Sequence, residues 1–193
     1  MINAPGQKRF VILDRDGTLI QERNYLSTPE GVEILGNAIE GLQQLRNLGL
    51  GIIVVTNQSG IGRGLISCES LEMIHDRMTS LLRDAGCEID GVYICPHLPE
   101  DGCVCRKPKT ALVLSAAGEL GFEPSRSFVI GDKACDIELG KAVGATTILV
   151  LTGYGARTVS DEAIRPDFVA RDLKEAAEYI GNMLKMQATL PPK

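Results

Sequence analysis

The chain has 193 residues, 44% of them hydrophobic and 23% charged, with a formal net charge of −5. That length and composition suit a globular protein with a sizeable core. The acidic balance excludes an overall basic field for nucleic acid, and no stretch approaches the ~18 apolar residues needed to span a bilayer.

Met1 to Arg9 is polar, and the apolar run that follows ends at Asp14, too short for the core of a signal peptide. A cytoplasmic protein without a membrane partner is expected. Phe10–Asp14 itself, a short apolar run bounded by a turn, reads as a buried strand. Asn37–Leu48 has helical periodicity through Ile39, Leu42, Leu45 and Leu48, and Gly49 suits its end. Gly51–Thr56 is a second strand with a β-branched centre. Ser67 caps a helix running through Leu82, with Gly86 beyond it. Gly91–Ile94 is a third strand, and Lys109–Leu120 a helix followed by Gly121. Ser127–Ile130 is a fourth strand, with a helix around Ile137–Val143 after it. Thr146–Leu151 is the fifth strand and Asp172–Met186 a terminal helix, leaving a frayed tail at about 188–193.

Strands alternating with helices imply right-handed crossovers. The expected fold is α/β: a Rossmann-like, mostly parallel sheet with helices on both faces, in a single domain over residues 1–193. Neither 14–56 nor 56–107 holds a folded insert, so no large cap domain is expected. Gln21–Glu33 has room for a small flap.

Two carboxylates, Asp14 and Asp16, are delivered one residue apart at the end of the first strand, into a Gly-Thr turn. Open α/β sheets place their ligands at that edge. A plain Asp-Gly turn is the competing reading. A calcium loop does not fit, because its glycine would come later and a helix, not a strand, would precede it. Three further segments fall at or beside strand ends. Thr56-Asn57-Gln58-Ser59-Gly60 offers a hydroxyl, amides and backbone N–H groups to an anion. Arg106-Lys107-Pro108 places cations ahead of a helix, where they oppose its dipole, so an anion and not stability explains them. Gly131-Asp132-Lys133 leads to Asp136, four residues beyond Asp132 and on its face if the segment is helical. Each alone is a turn, a solvated charge or a helix cap. Together they form the set that phosphoryl transfer needs: a carboxylate nucleophile, hard oxygen ligands for Mg²⁺, and a hydroxyl and an ammonium for the equatorial oxygens.

Six cysteines are present, and three of them cluster with a histidine: Cys95, His97, Cys103 and Cys105. Three thiols and one imidazole make a closed tetrahedral zinc set, structural because no ligand position is left open. Clamping that loop would fix Arg106 and Lys107, which follow its last ligand. Cys68, Cys87 and Cys135 lie apart and read as buried or incidental thiols. His75, inside a helix, reads as a surface or packing residue.

These motifs, in this order, resemble those of the haloacid dehalogenase superfamily of phosphatases over nearly the whole chain. Within it, Asp14-Arg-Asp-Gly-Thr, Thr56-Asn-Gln-Ser-Gly-Ile-Gly-Arg-Gly64 and Gly131-Asp-Lys are similar to those of the heptose bisphosphate phosphatases, which serve nucleotide-activated heptose (lipopolysaccharide core) synthesis. The resemblance implies that Asp14 is the nucleophile and Asp16 the acid and base. It implies that Thr56 and Lys107 hold the transferring group. Asp14, the backbone carbonyl of Asp16, and Asp132 would ligate Mg²⁺, with Asp136 supporting them. Glu22, Arg23, Asn24, Tyr25, Asn57, Gln58, Ser59, Arg106 and Lys133 would line the substrate site, with Arg63 a weaker candidate.

The metal loop and its Arg-Lys-Pro sequel also resemble the histidinol-phosphate phosphatases, and the loop is short, as it is there. The basic residues favour a bisphosphorylated sugar. A monomer acting on a small phosphorylated sugar is expected. A catalytically silent, zinc-stabilised binding module is the reading from another class, and intact Asp14, Asp16, Lys107 and Asp132 argue against it.

Overall fold

The computed structural model describes residues 8–189. The expected polar leader therefore falls mostly outside the described residues. So does the expected tail, except that Ala188 and Thr189 close the last helix.

Among the described residues six strands form one sheet: β1 (Phe10–Leu13), β2 (Gly51–Asn57), β3 (Gly91–Cys95), β4 (Phe128–Gly131), β5 (Thr146–Val150) and β6 (Phe168–Ala170). Their order is β3-β2-β1-β4-β5-β6, and every pairing is parallel. The helices are α1 (Ala38–Asn47), α2 (Ser59–Gly62), α3 (Cys68–Asp84), α4 (Ala111–Leu120), α5 (Ala134–Ala142), α6 (Gly155–Thr158) and α7 (Leu173–Thr189).

The strand interiors are largely apolar because both faces are covered, with polar residues at strand ends such as Thr56-Asn57 and Thr146-Thr147. Side chains alternate with a period of two. Val11, Leu13, Ile52 and Val54 pack with Leu42 and Leu45 of α1, Ile74 and Met78 of α3, and Ala176 and Ile180 of α7. Phe10, Ile12, Ile53 and Val55 face Val113 and Ala116 of α4 and Leu139 of α5. The Ser67 hydroxyl caps α3 as expected, accepting from the Ser70 N–H at 3.1 Å.

The strand order reverses between β1 and β4, whose neighbours lie on opposite sides. That is the switch point at which such sheets open a crevice. Between β1 and α1, and between β2 and β3, no folded insert intervenes among the described residues. The stretch after β1 carries one short 3₁₀ turn, Pro29–Gly31. No helix among the described residues is long and apolar enough to cross a membrane.

Four local expectations are corrected. A sixth strand, β6, is present; three residues behind Pro166 carry too little pattern to be seen. The helix after β4 begins at Ala134, so Asp132 precedes it in the loop and does not share its face with Asp136. The helix after the Arg-Lys-Pro segment starts at Ala111, and Lys107 lies in the turn ahead of it. Of the two readings of His75, the surface one is corrected: it is buried on the inward side of α3, against Arg15.

Candidate active site

Strand ends converge on a cleft of about 350 Å³. Asp14 follows β1 and continues its ladder, its N–H donating to Ile130 O at 3.0 Å. Thr56 and Asn57 close β2, and Asp132 follows β4. Backbone register along one sheet edge thus sets their spacing, before any side chain is placed.

Asp14, Asp132 and Asp136 each offer a carboxylate oxygen, all within 4.8 Å of one another, and all three residues are buried. Lys107 answers them. Its Nζ donates to Asp14 Oδ1 at 2.8 Å and to Val55 O at 2.7 Å, and lies 2.6 Å from Asp136 Oδ1. Lys133 Nζ is paired with Glu22 Oε2 at 2.9 Å and sits 3.8 Å from Asp14 Oδ2. Three buried carboxylates facing two ammonium groups leave room for further positive charge.

The titration behaviour follows. Burial opposes charge on Asp14, but Lys107 and Lys133 outweigh it and hold the carboxyl below its ordinary value. Burial opposes charge on Lys107 too, and Asp136 and Asp14 overcome it and raise its pKa. Burial and the neighbouring Asp14 push Asp132 up to about 7. Asp136 is also raised, by burial first, against the pull of Lys107.

The cluster fits a divalent cation. Asp132 Oδ1 is buried without a hydrogen-bond partner among the described residues, while its Oδ2 accepts from the Tyr154 N–H at 2.7 Å. A hard-oxygen set with an orphaned carboxylate oxygen suits Mg²⁺. Two glycines make the approach possible. Gly17 and Gly153 both have positive φ, at 83° and 55°, and a Cβ on either would overlap Asp132 Oδ2.

The Asp16 carboxylate points elsewhere. It receives Arg15 Nε at 3.1 Å, Arg15 Nη2 at 2.9 Å and Gln58 Nε2 at 2.8 Å. Gln58 Nε2 also donates to Thr56 Oγ1 at 2.8 Å. Asn57 clasps Lys107: its Oδ1 accepts from the Lys107 N–H at 3.0 Å and its Nδ2 donates to Lys107 O at 3.3 Å.

Of the residues expected at the substrate site, Glu22, Asn24, Tyr25, Asn57, Gln58, Ser59, Arg106 and Lys133 line the cleft. Arg23 does not; it is exposed and paired with Glu33 at 2.6 Å. Arg63 is exposed and outside the lining. Asn24 and Tyr25 form the flap tip with successive positive φ values of 42° and 48°.

Sequence reasoning missed Arg15, Cys135 and Tyr154, all of which line the cleft. Tyr154 Oη donates to Asn24 Oδ1 at 2.9 Å, tying the flap to the loop after β5. Its ring lies 5.1 Å from Lys133 Nζ. No local pattern announces a lone tyrosine or the residue between two aspartates. Cys135 was visible inside the Gly131–Asp136 motif but read as incidental; burial and Asp136 push its thiol up to about 12. Cys68 is exposed and Cys87 buried.

The metal loop closes beside the cleft. Cys95 Sγ lies 3.6 Å from Cys103 Sγ, 3.1 Å from Cys105 Sγ and 3.7 Å from His97 Nδ1. Cys105 Sγ is 3.6 Å from Cys103 Sγ and 3.2 Å from His97 Nδ1. Such edges match a tetrahedron with ligand bonds of about 2.0–2.3 Å, the dimensions of zinc. Cys95 ends β3, Arg106 Nη1 donates to His97 O at 3.3 Å, and Lys109 Nζ donates to Gly102 O at 2.9 Å.

Residues 104–176 match the HAD-hydrolase-like family. The chain is 37% identical over 184 residues to D-glycero-D-manno-heptose-1,7-bisphosphate 7-phosphatase of Thermosynechococcus vestitus, covering 88% of this chain and 94% of that one. The Pasteurella multocida D-glycero-beta-D-manno-heptose-1,7-bisphosphate 7-phosphatase is 40% identical over 153 residues, 76% of this chain and 83% of that one. The crystal structure of D,D-heptose 1,7-bisphosphate phosphatase from B. bronchiseptica, complexed with magnesium and phosphate, superposes with a TM-score of 0.86 at 30% identity, covering 91% of this chain and 99% of that one. Fold, sheet edge and sequence agree, and the chain belongs to the heptose-1,7-bisphosphate phosphatase family of HAD-like hydrolases.

Proposed function

We propose that this chain is a Mg²⁺-dependent phosphomonoesterase that removes the 7-phosphate of D-glycero-D-manno-heptose 1,7-bisphosphate through an aspartyl-phosphate intermediate. The observation that carries the reading is Lys107 held between Asp14 and Asp136, with Asp132 Oδ1 orphaned beside them.

Mg²⁺, held by Asp14, the Asp16 carbonyl and Asp132 with Asp136 behind them, would neutralise phosphate charge when bound. Asp14, charged and aimed into the cleft, attacks phosphorus. A carboxylate O–P bond forms as the ester O–P bond breaks. Asp16 gives its proton to the departing sugar oxygen, releasing the alcohol. Asp16, now a carboxylate, takes a proton from water, whose oxygen bonds to phosphorus as the Asp14 O–P bond breaks. Inorganic phosphate leaves. Thr56 Oγ1 and Lys107 Nζ hold the equatorial oxygens as charge spreads over them.

Arg106, fixed by the closed zinc loop, and Lys133 offer positive charge to the second phosphate. The flap residues Glu22, Asn24 and Tyr25 and the amides Asn57 and Gln58 offer partners for sugar hydroxyls. The enzyme acts as a cytoplasmic monomer with an open site, one domain spanning the chain. Phosphate release from heptose 1,7-bisphosphate and from histidinol phosphate, compared side by side with Mg²⁺, tests the reading. A strong preference for the sugar is expected. A preference for histidinol phosphate, or turnover of neither, overturns it.

A further inference from the structure

Arg15 is the largest of the fully buried side chains, with 1% of its surface exposed, yet it carries a permanent charge. A buried guanidinium is costly unless every donor is used. Apolar residues of similar volume often serve stability as well or better, so stability alone does not account for a cation here. Its donors have definite targets. Nε and Nη2 grip the two Asp16 oxygens at 3.1 and 2.9 Å. Nη1 lies 2.9 Å from His75 Nε2, on α3, sixty positions away in the chain.

An arginine has no lone pair to offer. His75 Nε2 is therefore the acceptor, and the imidazole is neutral with its proton on Nδ1. Burial and the Arg15 charge push His75 down to about 4, consistent with a neutral ring. Two neighbours in sequence would ordinarily point apart on a strand. Here the chain turns after Asp14, and the Arg15 side chain folds back onto the residue that follows it.

We propose that Arg15, braced by neutral His75, is a positioning residue that fixes the Asp16 carboxylate at the cleft wall for proton transfer to the leaving oxygen. The proposal rests on the reading of Asp16 as acid and base. The charge-assisted grip stabilises the carboxylate left when the proton departs. It also holds that carboxylate away from the Asp14–Asp132–Asp136 cluster, where a cation would otherwise claim it.

The test exploits the leaving group. Expulsion of p-nitrophenolate needs little help from an acid, whereas phenolate needs its proton. We would measure kcat/KM, which reports the first chemical step, for phenyl phosphate and p-nitrophenyl phosphate. The ratio of the two is independent of how much protein is folded. In His75→Phe the phenyl to p-nitrophenyl ratio is expected to fall at least about tenfold, a modest part of the usual contribution of general acid catalysis. In His75→Gln, whose amide oxygen can accept from Arg15, it is expected to return to within about threefold of the parent. If His75→Phe does not fold, Arg15→Lys, which keeps the charge and loses the two-pronged grip, is expected to show the same fall.

Equal losses on both esters, an effect confined to KM, or a glutamine variant no better than phenylalanine would overturn the proposal. A parent enzyme that cleaves neither ester, or an Asp14→Asn variant that still cleaves both, would strike the phosphatase reading instead.

Discussion

Lys107 Nζ and Asp14 Oδ1 lie 2.8 Å apart in the buried floor of the cleft, 93 positions apart in the chain. The same ammonium reaches Asp136 and the Val55 carbonyl, so Lys107 ties the residue after β1, the end of β2 and the first turn of α5 to one point. Replacing it by alanine leaves two buried carboxylates facing each other without their cation. Breaking a buried pair in this way costs about 3–5 kcal/mol. Urea unfolding of Lys107→Ala should show that loss, and phosphate release should fall at least about 100-fold. Retained turnover would remove Lys107 from the chemistry.

The zinc loop carries structure to the cleft. Cys103→Ser removes one of four ligands while leaving a side chain of similar size. The thiol is poised to ligate: burial opposes its ionisation, but the Arg106 N–H and neighbouring thiols prevail and bring it to about 7. Zinc content should fall and the Tm should drop by roughly 5 °C, since about 1 kcal/mol moves a chain of this size by ~2–4 °C. A purified parent protein without zinc, melting at the same temperature as the variant, would refute the structural role.

Asp132 gives the metal site a pH signature. Its carboxyl is raised from 3.8 to about 7 in the metal-free fold. Between those values the folded chain binds a proton that the unfolded chain has lost. Stability of the metal-free protein from this group therefore falls as pH rises from about 4 to about 7. Mg²⁺ must displace that proton, so it binds best once the proton is gone. The rise in Tm on adding Mg²⁺ should be small at pH 5.5 and full at pH 8. A shift independent of pH, or its persistence in Asp132→Asn, would contradict this.

Tyr154 joins two parts of the site. Its backbone N–H holds Asp132 and its hydroxyl holds Asn24 on the flap. Tyr154→Phe keeps the ring beneath Lys133 and loses only the flap contact. Loss of one hydrogen bond of about 1 kcal/mol predicts a roughly fivefold rise in KM with kcat little changed. An unchanged KM would detach the flap from substrate binding.

Much of this was legible because the signals are local. The strand runs are apolar and β-branched, since both faces of a parallel sheet are buried. The carboxylates sit where those runs stop. Cys95, His97, Cys103 and Cys105 are near neighbours in sequence, so their meeting needs only a short loop to close. β6 escaped because three residues cannot show a period. The shared face of Asp132 and Asp136 failed because α5 starts two residues after Asp132; backbone beyond β4, not helical spacing, brings them together.

Composition and pattern by themselves determined the α/β alternation, the order of the motifs along the chain and the chemistry each motif can offer. Which of those motifs meet was decided by the strand order β3-β2-β1-β4-β5-β6, which sets β4 beside β1 and brings Asp132 to Asp14. Tertiary structure alone decided that Arg15 turns back on Asp16, that His75 faces inward to meet it, and that Arg23 turns out to Glu33. The physical reason is that side-chain type is written residue by residue. Burial, and the partner a buried charge must find, depend on segments far apart in the chain.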